Sequence, residues 1–265
     1  MHRVEPVVFC VGETRTNDDQ MRAYLAHIGA PDWQTDAPSD VEEIIEVMAR
    51  ACYKSFGPGL NPNVTRVRPD NKSHLGNIVK VGHGSTLEHS FINFMFCDVS
   101  RVFTHELVRH RAGSAFSQES LRFVRLEDMG VWVPPAFEGN KRAEELFEET
   151  WRLLEEKYGE LIEVAAEMEG RPFDELPFHL KKKYTSAARR LAPIGLATNI
   201  GWSCNIRTLR HVIEMRTDPG SEEEIRFVFA KVAEIAIAKF GNILGDYEVD
   251  MVEGLPHYRT EHPKV

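Results

Sequence analysis

The stretch SFINFMFCDVSRVFTHELVRHRAGSAFSQESLRF, residues 90–123, holds a strand, a helix and a polar loop in that order. Phe91, Ile92, Phe94 and Phe96 form an aromatic, apolar run that reads as a buried strand over residues 90–100. Ser100 is of N-cap type, and a helix is expected from it through Val108, with Val102, Phe103 and Leu107 facing the core. Arg109-His110-Arg111 stands at the end of that helix, and a run of small polar residues then leads to Ser120-Leu121-Arg122. FVRL, residues 123–126, reads as one more short strand.

Upstream, VVFCV at 7–11 is a short apolar strand, and the rest of residues 1–38 shows no strong periodicity. Ser39 with Glu42 reads as a capping box, opening a helix whose apolar stripe is Ile44, Ile45, Met48 and Ala51. GPGLNPN, residues 57–63, is a loop, and a helix near 72–81 stops at Gly82. Downstream, PPAFEGN at 134–140 breaks the chain before a long helix from about Lys141 to Met168. Its stripe is Leu146, Trp151, Leu154, Tyr158, Leu161 and Ala165. A helix over 174–191, a strand at GLATNIGWSC and helices over 205–216 and 222–244 follow, with Asp218-Pro219-Gly220-Ser221 as the turn between the last two. The final 15 residues are expected to be disordered or to pack on a partner. Few strands beside long helices put the chain in the α+β class. The expected architecture is a single domain, residues 1–265, with a small, mostly antiparallel sheet and several long helices.

The chain has 265 residues and a formal net charge of −9. No apolar run reaches the roughly 18 residues of a membrane helix, and the N-terminus has no signal-peptide pattern. A cytoplasmic protein without membrane contact is therefore expected. Cys10, Cys52, Cys97 and Cys204 form no CxxC pair and read as buried, reduced thiols.

Against the acidic background, residues 101–125 hold five arginines and two glutamates. A metal centre is the first reading of that island. His105 and His110 are five apart, about 140° round a helix, so they cannot share one ion as the i,i+4 pair of HExxH does. Glu88-His89 and His83 force no other ligand set, and no metal is expected. Nucleic acid fits poorly too, since the island has no lysine and the protein is acidic. A small anion fits best. Ser120 and Arg122 are two apart, on one face of an extended segment, and a hydroxyl beside a guanidinium suits a phosphate. Arg109, His110 and Arg111 fan out by about 100° each and so address different partners. On the helix from 205, Arg207 and His211 share a face, while Arg216 lies about 180° round from Arg207.

Arg109-His110-Arg111 followed by Ser120-x-Arg122 resembles the motif of flavin-dependent thymidylate synthases, with a loop one residue longer than the usual pattern. ARACYKSF (49–56), GHGSTLEH (82–89), RRLAP (189–193), NIRTLRHVIEMR (205–216) and EEEIR (222–226) resemble other family segments in the same order. The resemblance spans about residues 50–226 and leaves residues 1–38 and 250–265 uncovered. It implies an α+β homotetramer with shared sites, converting dUMP to dTMP by reductive methylation. Methylenetetrahydrofolate would give the carbon and NADPH would reduce an FAD cofactor. It implies FAD contacts from Ser55, Ser85, Glu88, Arg109, His110, Arg111, Asn205, Arg207 and His211, with His83 beside the flavin ring. It implies dUMP contacts from Glu106, Arg109, Gln118, Glu119, Ser120, Leu121 (through its backbone), Arg122, Arg189 of another subunit, and Arg216. Arg216 would be catalytic, and no cysteine nucleophile is needed. Glu106 stands where glutamine is common in the family. Two alternatives remain: a flavin enzyme of the same fold acting on another pyrimidine nucleotide, and a non-catalytic nucleotide or nucleic-acid binder.

Overall fold

The computed structural model describes residues 2–57, 63, 67–122, 128–263 and 265. The FVRL segment and most of GPGLNPN lie outside them. The elements in chain order are β1 (His2–Arg3), β2 (Val7–Glu13), α1 (Asp18–His27), α2 (Asp40–Tyr53), α3 (Asn71–Lys80), a 3-10 turn Gly84–His89, β3 (Phe91–Ser100), α4 (Arg101–Leu107), β4 (Ser114–Gln118) and β5 (Gly130–Val131). They continue with α5 (Lys141–Glu169), α6 (Phe178–Ala188), β6 (Ala197–Asn205), α7 (Ile206–Thr217), α8 (Glu223–Lys239), α9 (Gly241–Leu244), β7 (Glu248–Val252) and β8 (Leu255–Arg259). This is a mixed helix-and-sheet fold. One four-stranded sheet has the order β2-β3-β6-β4, β1 pairs with β5 in parallel, and β7 pairs with β8 antiparallel.

The chain divides into two compact units. The first comprises Met1–Val7, Met95–Arg109 and Phe116–Gly201. Its core gathers Met129, Val131, Trp151, Tyr158, Ala188 and Leu196. On α5, Trp151, Tyr158 and Ala165 are buried, whereas Leu146 and Leu161, expected in the same stripe, are exposed. The α4 cap is as read: Ser100 accepts from the Phe103 amide, and Phe103 and Leu107 are fully buried, while Val102 is only half-buried. The helix expected over 174–191 is shorter. Pro177 precedes its first turn, and Leu176 before that proline is extended (ψ 144°), as a residue preceding proline prefers.

The second unit comprises Val8–Phe94, His110–Ala115 and Trp202–Val265. Its centre is aromatic: Trp202 stacks on Phe94 at 6.0 Å and meets Phe229 edge-on at 5.7 Å. The Ser39 cap of α2 holds, with its hydroxyl accepting from the Glu42 amide and donating to the Glu42 carboxylate. The buried face of α2 differs from the expected stripe. Val41, Ile45, Val47 and Ala49 are inside, together with Glu42, Glu46 and Arg50, while Met48 and Ala51 are exposed. These charges are paired: Arg50 Nε donates to Glu46 at 2.7 Å, and Glu46 also accepts from Asn71 and Thr35.

Two features depart from expectation at the ends of the chain. Helix α1 forms in a segment read as aperiodic, capped by Asn17. The C-terminal residues form the β7–β8 hairpin, whose strands are joined by Glu253-Gly254, both at positive φ. The helix expected over 222–244 breaks at Phe240 (φ −128°, ψ 51°) into α8 and α9. Of the cysteines, only Cys204 is buried; Cys10 and Cys97 are half-buried and Cys52 is exposed.

Candidate active site

In the second unit the 110–115 segment is tied to the start of α7. Asn205 caps α7 by accepting from the Thr208 amide at 2.8 Å, its own amide donates to the Gly113 carbonyl, and Thr208 Oγ1 donates to the Ala112 carbonyl. Gly113 sits at φ +65°, and a Cβ there would collide with the Asn205 and Thr208 side chains. No other residue type would let the loop lie so close to the helix end.

This tie sets His110 beside α7. Arg216 Nε donates to His110 Nε2 at 2.7 Å, and the His211 ring stands 6.2 Å from the His110 ring, edge-on. Accepting at Nε2 requires a neutral imidazole with its proton on Nδ1. Burial, and then the charge of Arg216, push the His110 pKa down to about 4, which agrees with that tautomer.

Further along the same helix, Arg207 and His211 are exposed one turn apart, and Arg207 Nη1 donates to Glu88 of the 3-10 turn. Ser85 is exposed on that turn as well. Gly84 beneath it is buried, and a Cβ there would come within 2.7 Å of Arg207 Nε and 2.9 Å of the Val265 carbonyl carbon. The geometry therefore joins Asn205, Arg207, His211 and Arg216 along one helix, with His110 and Glu88 against it. Arg111 is exposed on the adjoining segment. Arg210, between Arg207 and His211, is structural: it is buried and bidentate to Asp246 at 2.6 and 2.8 Å. Ser55 stands elsewhere, lining a cavity with Arg50 and His74. His83 packs its ring on Tyr53 at 5.0 Å.

In the first unit, Arg109 is exposed just past α4, its amide bonded to the Glu106 carbonyl. Gln118 donates to Thr104 at 3.0 Å, and the Glu119 carboxylate accepts from the backbone and side-chain amides of Asn199. Ser120 Oγ accepts from the Arg122 amide, a local turn that leaves the Arg122 guanidinium exposed. Leu121 packs on the core.

Arg101 was not marked by any motif. It donates to the Glu119 carbonyl, its Nε is buried without a partner, and its pKa is lowered by burial and then by the neighbouring charge of Arg189. Two cations in such proximity, one with an orphaned donor, make an anion-binding neighbourhood. Only an unusual run of arginines hinted at it in sequence.

An α+β fold that presents an exposed arginine and an exposed imidazole from one helix, with a separate arginine pair around an orphaned donor, belongs to the class of proteins suited to holding anionic, nucleotide-sized ligands. Comparison with known proteins sharpens this. Residues 35–240 match the family model described as thymidylate synthase complementing protein. The flavin-dependent thymidylate synthase of Mycobacterium sp. (strain JLS) is 34% identical over 222 residues, covering 82% of this chain and 84% of that protein. Those of Mycobacterium marinum and Corynebacterium diphtheriae are each 33% identical, over 242 and 223 residues, covering 90% and 83% of this chain and 93% and 85% of theirs. The chain belongs to the flavin-dependent thymidylate synthase family. A solved structure of the UMP/dUMP methylase PolB from Streptomyces cacaoi, bound with 5-Br dUMP, shares the fold at TM-score 0.64 and 14% identity, covering 92% of this chain and 96% of that one. Its 5-Br UMP complex gives TM-score 0.61.

Proposed function

We propose that the protein methylates dUMP to dTMP reductively, with methylenetetrahydrofolate as carbon donor, FAD as cofactor and NADPH as reductant, in a cytoplasmic homotetramer. The observation that carries this reading is the divided polarity of α7. Arg207 is exposed and paired with Glu88, while Arg216 bonds to His110, against which the exposed His211 ring stands edge-on. That arrangement supplies one set of groups for a cofactor and another for a substrate.

The donor set suits a flavin dinucleotide. Guanidinium and imidazole groups match diphosphate and ring carbonyls. Ser85, Glu88, Arg109, His110, Arg111, Asn205, Arg207 and His211 would hold it. FAD, when bound, supplies the hydride that completes the methyl group.

The remaining work falls to the chain. Arg216 does not serve as a base, because a guanidinium offers only donors and no acceptor. It stabilises the negative charge that develops on the uracil ring, as an oxyanion hole does. His110, kept neutral, fixes the Arg216 guanidinium by accepting from Nε. Ser120, the Leu121 amide and Arg122 hold the phosphate, with Arg189 contributed by another subunit and Glu106, Gln118 and Glu119 around the base. Burial raises the Cys204 thiol well above its ordinary value and leaves it fully enclosed, which favours a reaction without a cysteine nucleophile.

The test is an anaerobic incubation of the purified protein with methylenetetrahydrofolate, NADPH and dUMP, UMP or dCMP in turn, scored by product mass. dTMP from dUMP alone is expected. Methylated product from UMP or dCMP instead, or no product from any of the three, would overturn the reading.

A further inference from the structure

Asn199 sits on β6, which lies between β3 and β4 in the sheet, and no motif marks it. Each of its polar groups is engaged. Its carbonyl accepts from the Glu119 amide at 2.9 Å. Its own amide and its side-chain Nδ2 both donate to Glu119 Oε2, each at 3.3 Å. Its Oδ1 accepts from the Asp98 amide at 3.2 Å. One exposed residue thus ties β3 to the residue just past β4, all within the first unit.

Two details separate this knot from ordinary sheet pairing. Asp98 is held at φ +58°, in the left-handed region that residues other than glycine seldom enter, and such strain persists where the surroundings fix it. On the other side, both donors converge on Oε2 of Glu119, while Oε1 carries no hydrogen bond among the described residues. A carboxylate gripped through one oxygen presents the other as an acceptor in a fixed direction. The neighbouring loop residues are tied as well: Gln118 donates to the fully buried Thr104 of α4, and the Arg122 carbonyl accepts from Thr185 of α6. Of these ties, the one from Asn199 is the one that holds a charged group. A free glutamate side chain samples many rotamers, and any contact it makes has to overcome the cost of ordering it. Asn199 imposes that order before a ligand arrives.

We propose that Asn199 is a positioning residue of the substrate side, which orders the Glu119 carboxylate so that Oε1 accepts from the bound nucleotide. This role rests on the reading of Glu119 as a residue beside the base. Asn199 itself touches no ligand and acts through Glu119 alone.

The purified full-length chain and its variants are titrated with dUMP by calorimetry and assayed for dTMP. Asn199→Asp is the sharpest change. It keeps an oxygen for the Asp98 amide and the backbone bonds to Glu119, and it replaces the Nδ2 donor by a carboxylate oxygen facing the Glu119 carboxylate. It should weaken dUMP binding about threefold to tenfold, the range of one net hydrogen bond, and raise KM by the same factor with kcat unchanged. In a Glu119→Ala background the same change should have no further effect, an outcome that a loosened strand would not give. Should Asn199→Asp not fold, Asn199→Ser, which removes both side-chain bonds without adding charge, carries the same expectations. Unchanged dUMP affinity in Asn199→Asp overturns the role of Asn199, while a parent that still makes dTMP leaves the functional reading standing. A loss that persists in full in the Glu119→Ala background overturns the role too, Asn199 then acting through the strand. A parent that binds no dUMP overturns the functional reading and this role with it.

Discussion

At the scale of single residues, the two arginines given to the nucleotide differ in what their loss should do. Arg216 acts on charge that appears only as the reaction proceeds, so Arg216→Ala should lower kcat by about 10²–10³, as removal of one oxyanion-hole donor does. Flavin content per chain, read from absorbance, should stay near that of the parent; equal losses of flavin and turnover would refute the assignment. Arg122 is exposed and, among the described residues, is held through its backbone, with its amide on Ser120 and its carbonyl accepting from Thr185. Its exposed guanidinium is placed to serve a ligand, and Arg122→Ala should raise the KM for dUMP about tenfold or more, with the fold intact. An unchanged KM would count against the phosphate role. Motif spacing singles out both residues in sequence. It does not single out Arg101, since what distinguishes that residue is burial of one nitrogen beside Arg189, and neither property is local in the chain. Gly113 was missed for a similar reason: its need for a bare Cα comes from Asn205 and Thr208, some ninety residues on.

At the scale of elements, caps were readable and faces less so. Ser39 and Ser100, read as caps, each accept from the amide three residues on, a relation contained in four residues of sequence; Asn205, which was not read as one, does the same. The buried face of α2 was misjudged because it carries Glu42, Glu46 and Arg50, whose partners come from Thr35, Asn71, Asn242 and two backbone carbonyls. An apolar stripe is visible in one helix, whereas a satisfied ion pair needs its neighbours. The pair is 3% and 2% exposed in its side chains, so removing one partner strands a buried charge. Glu46→Ala should destabilise the protein by about 3–5 kcal/mol in urea denaturation. Glu46→Leu combined with Arg50→Met should recover only part of that loss. The double change rejoins apolar surface but still leaves the carbonyls of Ser55 and Arg68, and the donors of Thr35 and Asn71, without their present partners. A loss below about 1 kcal/mol for Glu46→Ala would mean that water reaches the pair.

At the scale of the whole molecule, the C-terminal residues show where sequence reading ran out. Their hairpin turns on Glu253-Gly254, with both residues at positive φ, and glutamate is not the asparagine or aspartate that normally announces such a turn. The hairpin is anchored on α7 by the Tyr258 amide donating to Thr217, and Tyr247 donates to the Arg210 carbonyl, contacts that no local pattern reveals. Stability against pH reads the molecule as a unit. His74 and His110 are both pushed down to about 4 from an ordinary 6.5, chiefly by burial. Between those values the unfolded chain binds protons at these positions and the folded chain does not. Stability is therefore complete above pH 6.5 and falls as pH drops toward 4. Glu42, Glu43 and Glu214 are raised by burial and act in the opposite sense above 4.5, so the histidines are read most cleanly from pH 6.5 to 5.5. In that window His74, being almost fully enclosed, should contribute a slope approaching about 1.4 kcal/mol per pH unit. His110 adds less, because it is only half-buried. His74→Gln should remove the larger part of the slope while leaving stability at pH 7.5 nearly unchanged. Urea midpoints measured at half-unit intervals decide it. A parent protein with no slope from 6.5 to 5.5 would show that both imidazoles gain their protons in the folded state, and with them that the Arg216 bond to a neutral His110 does not hold in solution.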